Sequence, residues 1–155
     1  MNKVPINSAP TRFVETYLLF LLEQASHALS AEFHEHLRRR GVAVTMWRVL
    51  ASLVGNPGET VTGLAASCLM QQPTMTKLLD RMVRDGMVSR TQDARDRRVV
   101  RIDLTARGQK LAAELVDVAS RHEAQVLVHH PLVDEAGLKE LLRGMIASHT
   151  RPRRV

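Results

Sequence analysis

A chain of 155 residues, 45% hydrophobic and 25% charged, is long enough to bury a core without staples, and its single cysteine, Cys68, excludes an intrachain disulfide framework and suits a reducing cytoplasm. The formal charge of +6 is placed rather than spread: residues 90–107 hold six Arg against three Asp, residues 151–155 add three Arg, and the other 132 residues balance at 13 basic and 13 acidic groups. The longest apolar run near the N-terminus, residues 17–22, is too short to cross a bilayer or to act as a secretory signal, so a soluble cytoplasmic protein with no membrane partner is expected.

The first predicted element spans residues 10–40, where Val14, Leu18, Leu21, Ala25, Leu29, Phe33 and Leu37 recur in steps of three and four; it reads as one long amphipathic helix stopped by Gly41. A short, mostly buried helix follows, with Thr45 as its expected cap and Trp47, Leu50, Ala51 and Val54 inside, up to a Gly55-Asn56-Pro57-Gly58 break. Thr62 is the expected cap of a third helix. Gln71-Gln72-Pro73 opens a fourth, with proline in the first turn where its missing N–H does no harm.

In that fourth helix Met75, Leu78, Leu79, Met82 and Val83 form the apolar face. Gln72, Thr74, Thr76, Lys77, Asp80, Arg81 and Arg84 form the opposite one, and Gly86 ends it. The period then changes to two: residues 87–90 are strand-like, 92–97 turn-rich, and Val100, Ile102 and Leu104 alternate with Arg101 and Asp103, which predicts a two-stranded hairpin with a charged tip. Thr105 caps a long fifth helix ending near His129-His130-Pro131, and a sixth follows Asp134. The N-terminal ten residues and the Pro/Arg tail read as loosely held.

All five aromatic residues, Phe13, Tyr17, Phe20, Phe33 and Trp47, lie in the first 47 residues, so the basic segment has no platform for stacking single-stranded bases. Duplex DNA is the better polyanion. A helix-turn-helix followed by a hairpin is a winged helix, and the run LLDRMVRDGMVSR at residues 78–90 followed by DARDRRVVRIDLTARG at 93–108 resembles the MarR family of bacterial transcription regulators. The likeness extends over essentially the whole chain. It implies a mainly α fold with a small β-hairpin wing: a winged helix-turn-helix at residues 42–108, flanked by long dimerisation helices at 1–41 and 109–155.

A helix fits the major groove and a basic hairpin can follow phosphates or enter the minor groove. Gln71, Gln72, Thr74 and Thr76 at the start of the fourth helix, with Lys77 and Arg81 behind them, are the expected base and backbone contacts. In the wing, Arg95, Arg97 and Arg98 alternate with Asp93 and Asp96, a spacing in which one arginine is held by an aspartate while another points outward. The resemblance implies that Asp96 and Arg98 hold the tip and that an arginine there enters the minor groove. Which arginine inserts is left open by the spacing.

The leucine-rich faces of the first, fifth and sixth helices exceed what a 60-residue winged helix can cover, so a second copy is the simplest partner, as the resemblance also implies: a twofold dimer on a pseudo-palindromic site. Tyr17, Phe20, His27, Trp47 and Arg48, together with Phe33, fall where the first two helices meet. In the family such a place binds small aromatic acids or phenolics, and Arg48 suits a carboxylate. Arg38-Arg39-Arg40 suits a phosphate-bearing effector such as a coenzyme A thioester, or is a charged helix end. Cys68 reads as core.

The seven histidines avoid the basic segment and show no zinc spacing, so neither metal nor cofactor is expected, and no nucleophile–base pattern or phosphate-cradling glycine loop points to an enzyme. The expected activity is therefore a dimeric, sequence-specific, effector-released DNA-binding repressor. The alternatives are a winged-helix protein-interaction module and a metal-responsive regulator of the same fold.

Overall fold

The structure is a computed structural model and describes residues 12–150. The expected helix start at residue 10 and the loosely held ends, including the arginine-rich 151–155, lie outside the described residues. The elements run α1 (Phe13–Thr16), α2 (Leu18–Arg39), α3 (Val44–Leu53), β1 (Glu59–Thr60), α4 (Val61–Ser67), α5 (Gln72–Arg84), β2 (Val88–Gln92), β3 (Val100–Leu104), α6 (Ala106–Val128) and α7 (Glu135–Thr150). Two compact units divide inside α6, one ending at Ala112 and the other starting at Ala113.

The first predicted helix is two helices. Thr16 donates its hydroxyl to the carbonyl of Phe13 (3.1 Å), a local bond of the kind with which Ser and Thr compete against helix propagation, and Tyr17 turns extended at φ −76°, ψ 111°. The Phe13 and Tyr17 rings stack beside the break, 5.0 Å between centroids. At the other end Gly41 stops α2 as expected, in the left-handed region at φ +68°. Its N–H reaches Arg38 O, and that of Val42 reaches Leu37 O (2.9 Å), so orphan carbonyls of the last turn are satisfied while Leu37 and Val42 are both buried.

The chain leaves this turn already extended at Ala43, and α3 therefore begins at Val44, with Ala43 rather than Thr45 in the cap position. The third helix also starts earlier than expected. Thr60, not Thr62, caps α4 by accepting the Gly63 N–H at 3.0 Å.

Thr60 caps because Glu59 and Thr60 are a strand. β1 pairs antiparallel with β3, Glu59 opposite Ile102 and Thr60 opposite Arg101, so the predicted two-stranded hairpin is part of a three-stranded sheet in the order β1-β3-β2. The hairpin register sets Val88 opposite Leu104, Arg90 opposite Ile102 and Gln92 opposite Val100. Gly58, in the turn before β1, donates its N–H to Asp103 (2.7 Å) and gives its carbonyl to Arg101 (3.0 Å); these ties hold a strand too short to hold itself.

The core of the first unit is apolar throughout. Leu37, Val49, Leu50, Leu64, Met75, Leu79, Met82 and Ile102 are fully buried, drawn from α2, α3, α4, α5 and β3. Val83, expected on the apolar face of α5, is instead 38% exposed, because it sits at that face's edge next to the exposed Arg84. Thr105 closes the unit as expected: it accepts the Gly108 N–H (3.0 Å) and donates its hydroxyl to Gly86 O (2.6 Å), joining the start of α6 to the turn after α5. In the second unit Asp134 accepts the Gly137 N–H at the start of α7. No helix among the described residues is long and apolar enough to cross a membrane.

Candidate nucleic-acid interface

Amphipathic spacing buries Met75, Leu79 and Met82 and thereby turns the other face of α5 outward: Gln71, Gln72, Thr74, Thr76, Lys77 and Arg81 are all exposed. Gln71 occupies the cap position without a side-chain bond to the helix, which leaves the amides of the first turn and the positive end of the helix dipole open. Thr76 returns its hydroxyl to Gln72 O (3.0 Å), Arg81 lies 3.8 Å from Asp85, and Lys77 has no carboxylate partner among the described residues.

The wing is organised by two aspartates. Asp93 accepts the backbone N–H of Arg95 (2.8 Å) and of Asp96 (3.1 Å) on one oxygen and the Arg101 Nε (2.9 Å) on the other. The Arg95 amide above all, then the Arg101 side chain, holds the Asp93 carboxyl below its ordinary value. Asp96 accepts the Arg98 Nε and Nη2, both at 3.1 Å, and the Arg98 N–H at 3.0 Å. This arginine likewise lowers its carboxyl. The expected Asp96–Arg98 pair is thus present as a bidentate fork. Arg95 and Arg97 have no carboxylate partner among the described residues, so of the three wing arginines one is pre-oriented and two keep an uncompensated charge.

A recess of about 360 Å³ brings the two parts together: Thr62 at the start of α4, Gln72 and Thr76 on α5 and Arg98 on the wing all line it. Thr74, Lys77, Arg81, Arg95 and Arg97 lie outside it. Three residues hold this arrangement in shape, and sequence reasoning assigned no role to two of them, Arg90 and Arg101. Asp93 and Arg101 build the wing, and Arg90 crosses from β2 to α5, its Nη1 donating to Asp80 (2.6 Å) and its Nη2 to Thr76 O (3.3 Å). Once the hairpin register is known, Asp93 and Arg101 can be paired from the sequence, but the Arg90 contact depends on how α5 packs on β2.

Two of the expected effector residues pack on aromatic neighbours. Trp47 sets its ring edge-on to Phe33 at 5.2 Å, Phe20 is half-buried, and Tyr17 stacks on Phe13. A recess of about 550 Å³ between the C-terminal half of α2 and the start of α3 includes His27, His34, Glu35 and Arg38, but none of Tyr17, Phe20, Trp47 or Arg48. Periodicity places Trp47 and Arg48 side by side in sequence, yet consecutive residues leave a helix about 100° apart. Arg38 and Arg39 both pair with Glu35, which makes them a helix-end charge network. Cys68 is buried, and burial pushes its thiol up, with the Ser52 hydroxyl 3.7 Å away. Among the described residues no three His, Cys, Asp or Glu are grouped so as to hold a metal.

Residues 43–100, which carry α3 through the start of β3, match the model of the MarR family. The chain is 29% identical over 116 residues to the HTH-type transcriptional regulator FarR of Neisseria gonorrhoeae, 74% of this chain and 80% of that protein. It is 33% identical over 94 residues to the homoprotocatechuate degradative operon repressor of Escherichia coli, 61% of this chain and 64% of that one. Among solved structures it is similar to the MarR family transcriptional regulator SPO1453 from Silicibacter pomeroyi DSS-3, at 42% identity and TM-score 0.80 over 89% of this chain and 98% of the other. It is also similar to NadR in complex with 4-hydroxyphenylacetate (29%, TM-score 0.73, 90% and 96%) and to the transcriptional repressor CouR bound to a 23-mer DNA duplex (25%, TM-score 0.70, 93% and 99%).

Proposed function

The chain belongs to the MarR family of transcription regulators, and from that premise we propose that it is a dimeric, cytoplasmic, non-enzymatic repressor that reads a pseudo-palindromic duplex and is released by a small aromatic carboxylate, a phenolic or its coenzyme A thioester. The observation that carries DNA reading is the shared recess of Gln72, Thr76 and Arg98, with the unpaired Lys77, Arg95 and Arg97 on the same two elements. Side chains able to read base edges stand on α5, and cations able to neutralise phosphate or enter the minor groove stand on the wing.

Dimerisation is supported separately in each unit. α2 presents Leu18, Leu19 and Leu21 to solvent, and α7 presents Leu138, Leu141 and Ile146, apolar side chains that a second copy would cover. Two copies would set two recognition helices at half-site spacing. An aromatic effector is supported by two of the similar proteins, one named for homoprotocatechuate degradation and one seen with 4-hydroxyphenylacetate.

The test is selection of duplexes from a random library by the full-length protein, followed by affinity measurement across a salt series. A palindromic consensus, with log affinity falling steeply against log salt, is expected. Failure to enrich any duplex would refute the reading and favour a protein-interaction role.

A further inference from the structure

We propose that Arg90 is a positioning residue for DNA reading: it fixes α5 against the wing and neutralises the one carboxylate that α5 would otherwise turn toward DNA. The inference rests on the DNA-binding reading above. Between Gln72 and Arg84 the only acidic residue is Asp80, and it lies on the exposed polar face with Thr76 and Lys77. An unmatched carboxylate there would repel the phosphates that Lys77 and the wing arginines attract.

Arg90 meets that charge from the neighbouring element. Its Nη1 donates to Asp80 Oδ1 at 2.6 Å and its Nη2 to the carbonyl of Thr76 at 3.3 Å, so one planar guanidinium spans a full turn of α5. The backbone from which it reaches is fixed, because Arg90 is opposite Ile102 in the ladder and Ile102 is fully buried. Thr76 in turn bonds its hydroxyl to Gln72 O, so the grip on Thr76 is passed to a second reading position.

Arg90 is not itself arranged as a contact. Its side chain is 32% exposed against 91% for Arg98, and both of its outer nitrogens are engaged within the protein. An exposed pair of this kind adds little to stability. What it supplies is orientation and charge balance at the place where α5 and the wing must meet one duplex together.

The experiment compares full-length wild type, Arg90→Ala, Arg90→Lys and Arg90→Ala/Asp80→Asn on the duplex selected by wild type and on a scrambled duplex, each across a salt series. Arg90→Ala is expected to lose about tenfold or more on the selected duplex, the worth of roughly one base contact, and less than about threefold on the scrambled one, with the salt slope moved by well under the one unit of a lost phosphate contact. Adding Asp80→Asn should recover the loss on scrambled DNA without restoring site preference. Arg90→Lys, which keeps the charge and loses the fork, should bind scrambled DNA like wild type yet still lose preference, and it carries the test if Arg90→Ala melts below the working temperature.

A salt slope lowered by about one unit, with equal losses on both duplexes, would make Arg90 a phosphate contact and overturn the proposal. Unchanged affinity and preference in Arg90→Ala would overturn it as well while leaving the DNA reading intact. A wild type that enriches no duplex brings down the DNA reading and this proposal together.

Discussion

A single glycine shows how narrowly the junction behind the wing is built. Gly108, the last residue of the LTARG run, has no side chain because the Met87 carbonyl occupies the place where a Cβ would stand. Both partners are backbone, anchored by the bonds of Thr105 to Gly86 and Gly108, so neither can give way locally. Gly108→Ala is therefore expected to destabilise the protein by about 1–3 kcal/mol, the usual cost of overpacking a closed site, read as a lower urea midpoint with unchanged slope. The wing depends on charge in the same local way. Asp93 and Asp96 titrate below their unfolded values, so their contribution is complete above about pH 4 and is lost as pH falls through the lower folded values. Carboxyl titration followed by NMR should show both midpoints depressed and the amides of residues 93–98 losing dispersion in the same acid range. Midpoints at the ordinary aspartate value would deny the amide bonds drawn here.

At the scale of elements, division of labour between α5 and the wing makes a sharper prediction. Arg95→Ala or Arg97→Ala should weaken binding to many sequences alike and lower the salt slope by about one unit, because neither cation is spent on a carboxylate. Gln72→Ala or Thr76→Val should instead change preference among sites by roughly 1–3 kcal/mol where a base contact is lost. Competition assays over a panel of single-base variants distinguish the two; identical profiles for all four variants would remove the division.

How much of this was legible in the sequence follows from what carries a period. α5 was readable because Met75, Leu79 and Met82 repeat over two turns, and β3 because Ile102 and its neighbours alternate. β1 was not, because two residues have no period and the strand exists through Ile102, Arg101 and Asp103, more than forty positions away. The cap at Thr60 went unread for the same reason, and the break at Tyr17 is hidden because leucine spacing continues across it. The Asp96–Arg98 pair was accessible as a local spacing, whereas Arg90 and Asp80 are joined only by packing. For the aromatic cluster, closeness in sequence does not by itself give a shared face, since consecutive helical residues point about 100° apart.

For the whole molecule, the apolar stripes and the effector must be explained together. Light scattering at micromolar concentration should give twice the protomer mass for the full chain, and removal of residues 132–155, which takes away α7, should shift it toward monomer or aggregate. On the proposed function, release follows if an effector binds better to a spacing of two recognition helices that mismatches the operator, and a tenfold release needs about 1.4 kcal/mol of such coupling. Two arginines near the junction of α2 and α3 could take the carboxylate. Arg38 lines the recess with His27, but it is already paired with Glu35, whose own charge opposes an anion there. Arg48 is exposed and has no carboxylate partner among the described residues, so its guanidinium is open to a ligand carboxylate. Calorimetry with 4-hydroxyphenylacetate, benzoates, cinnamates and their thioesters is therefore expected to show binding that Arg48→Ala weakens about tenfold or more and Arg38→Ala leaves nearly unchanged. The same ligands should lower operator affinity of wild type by the factor that operator lowers theirs, as reciprocity requires. The reverse ranking of the two arginines would move the effector into the recess beside His27, and absence of heat from every compound would remove the ligand class.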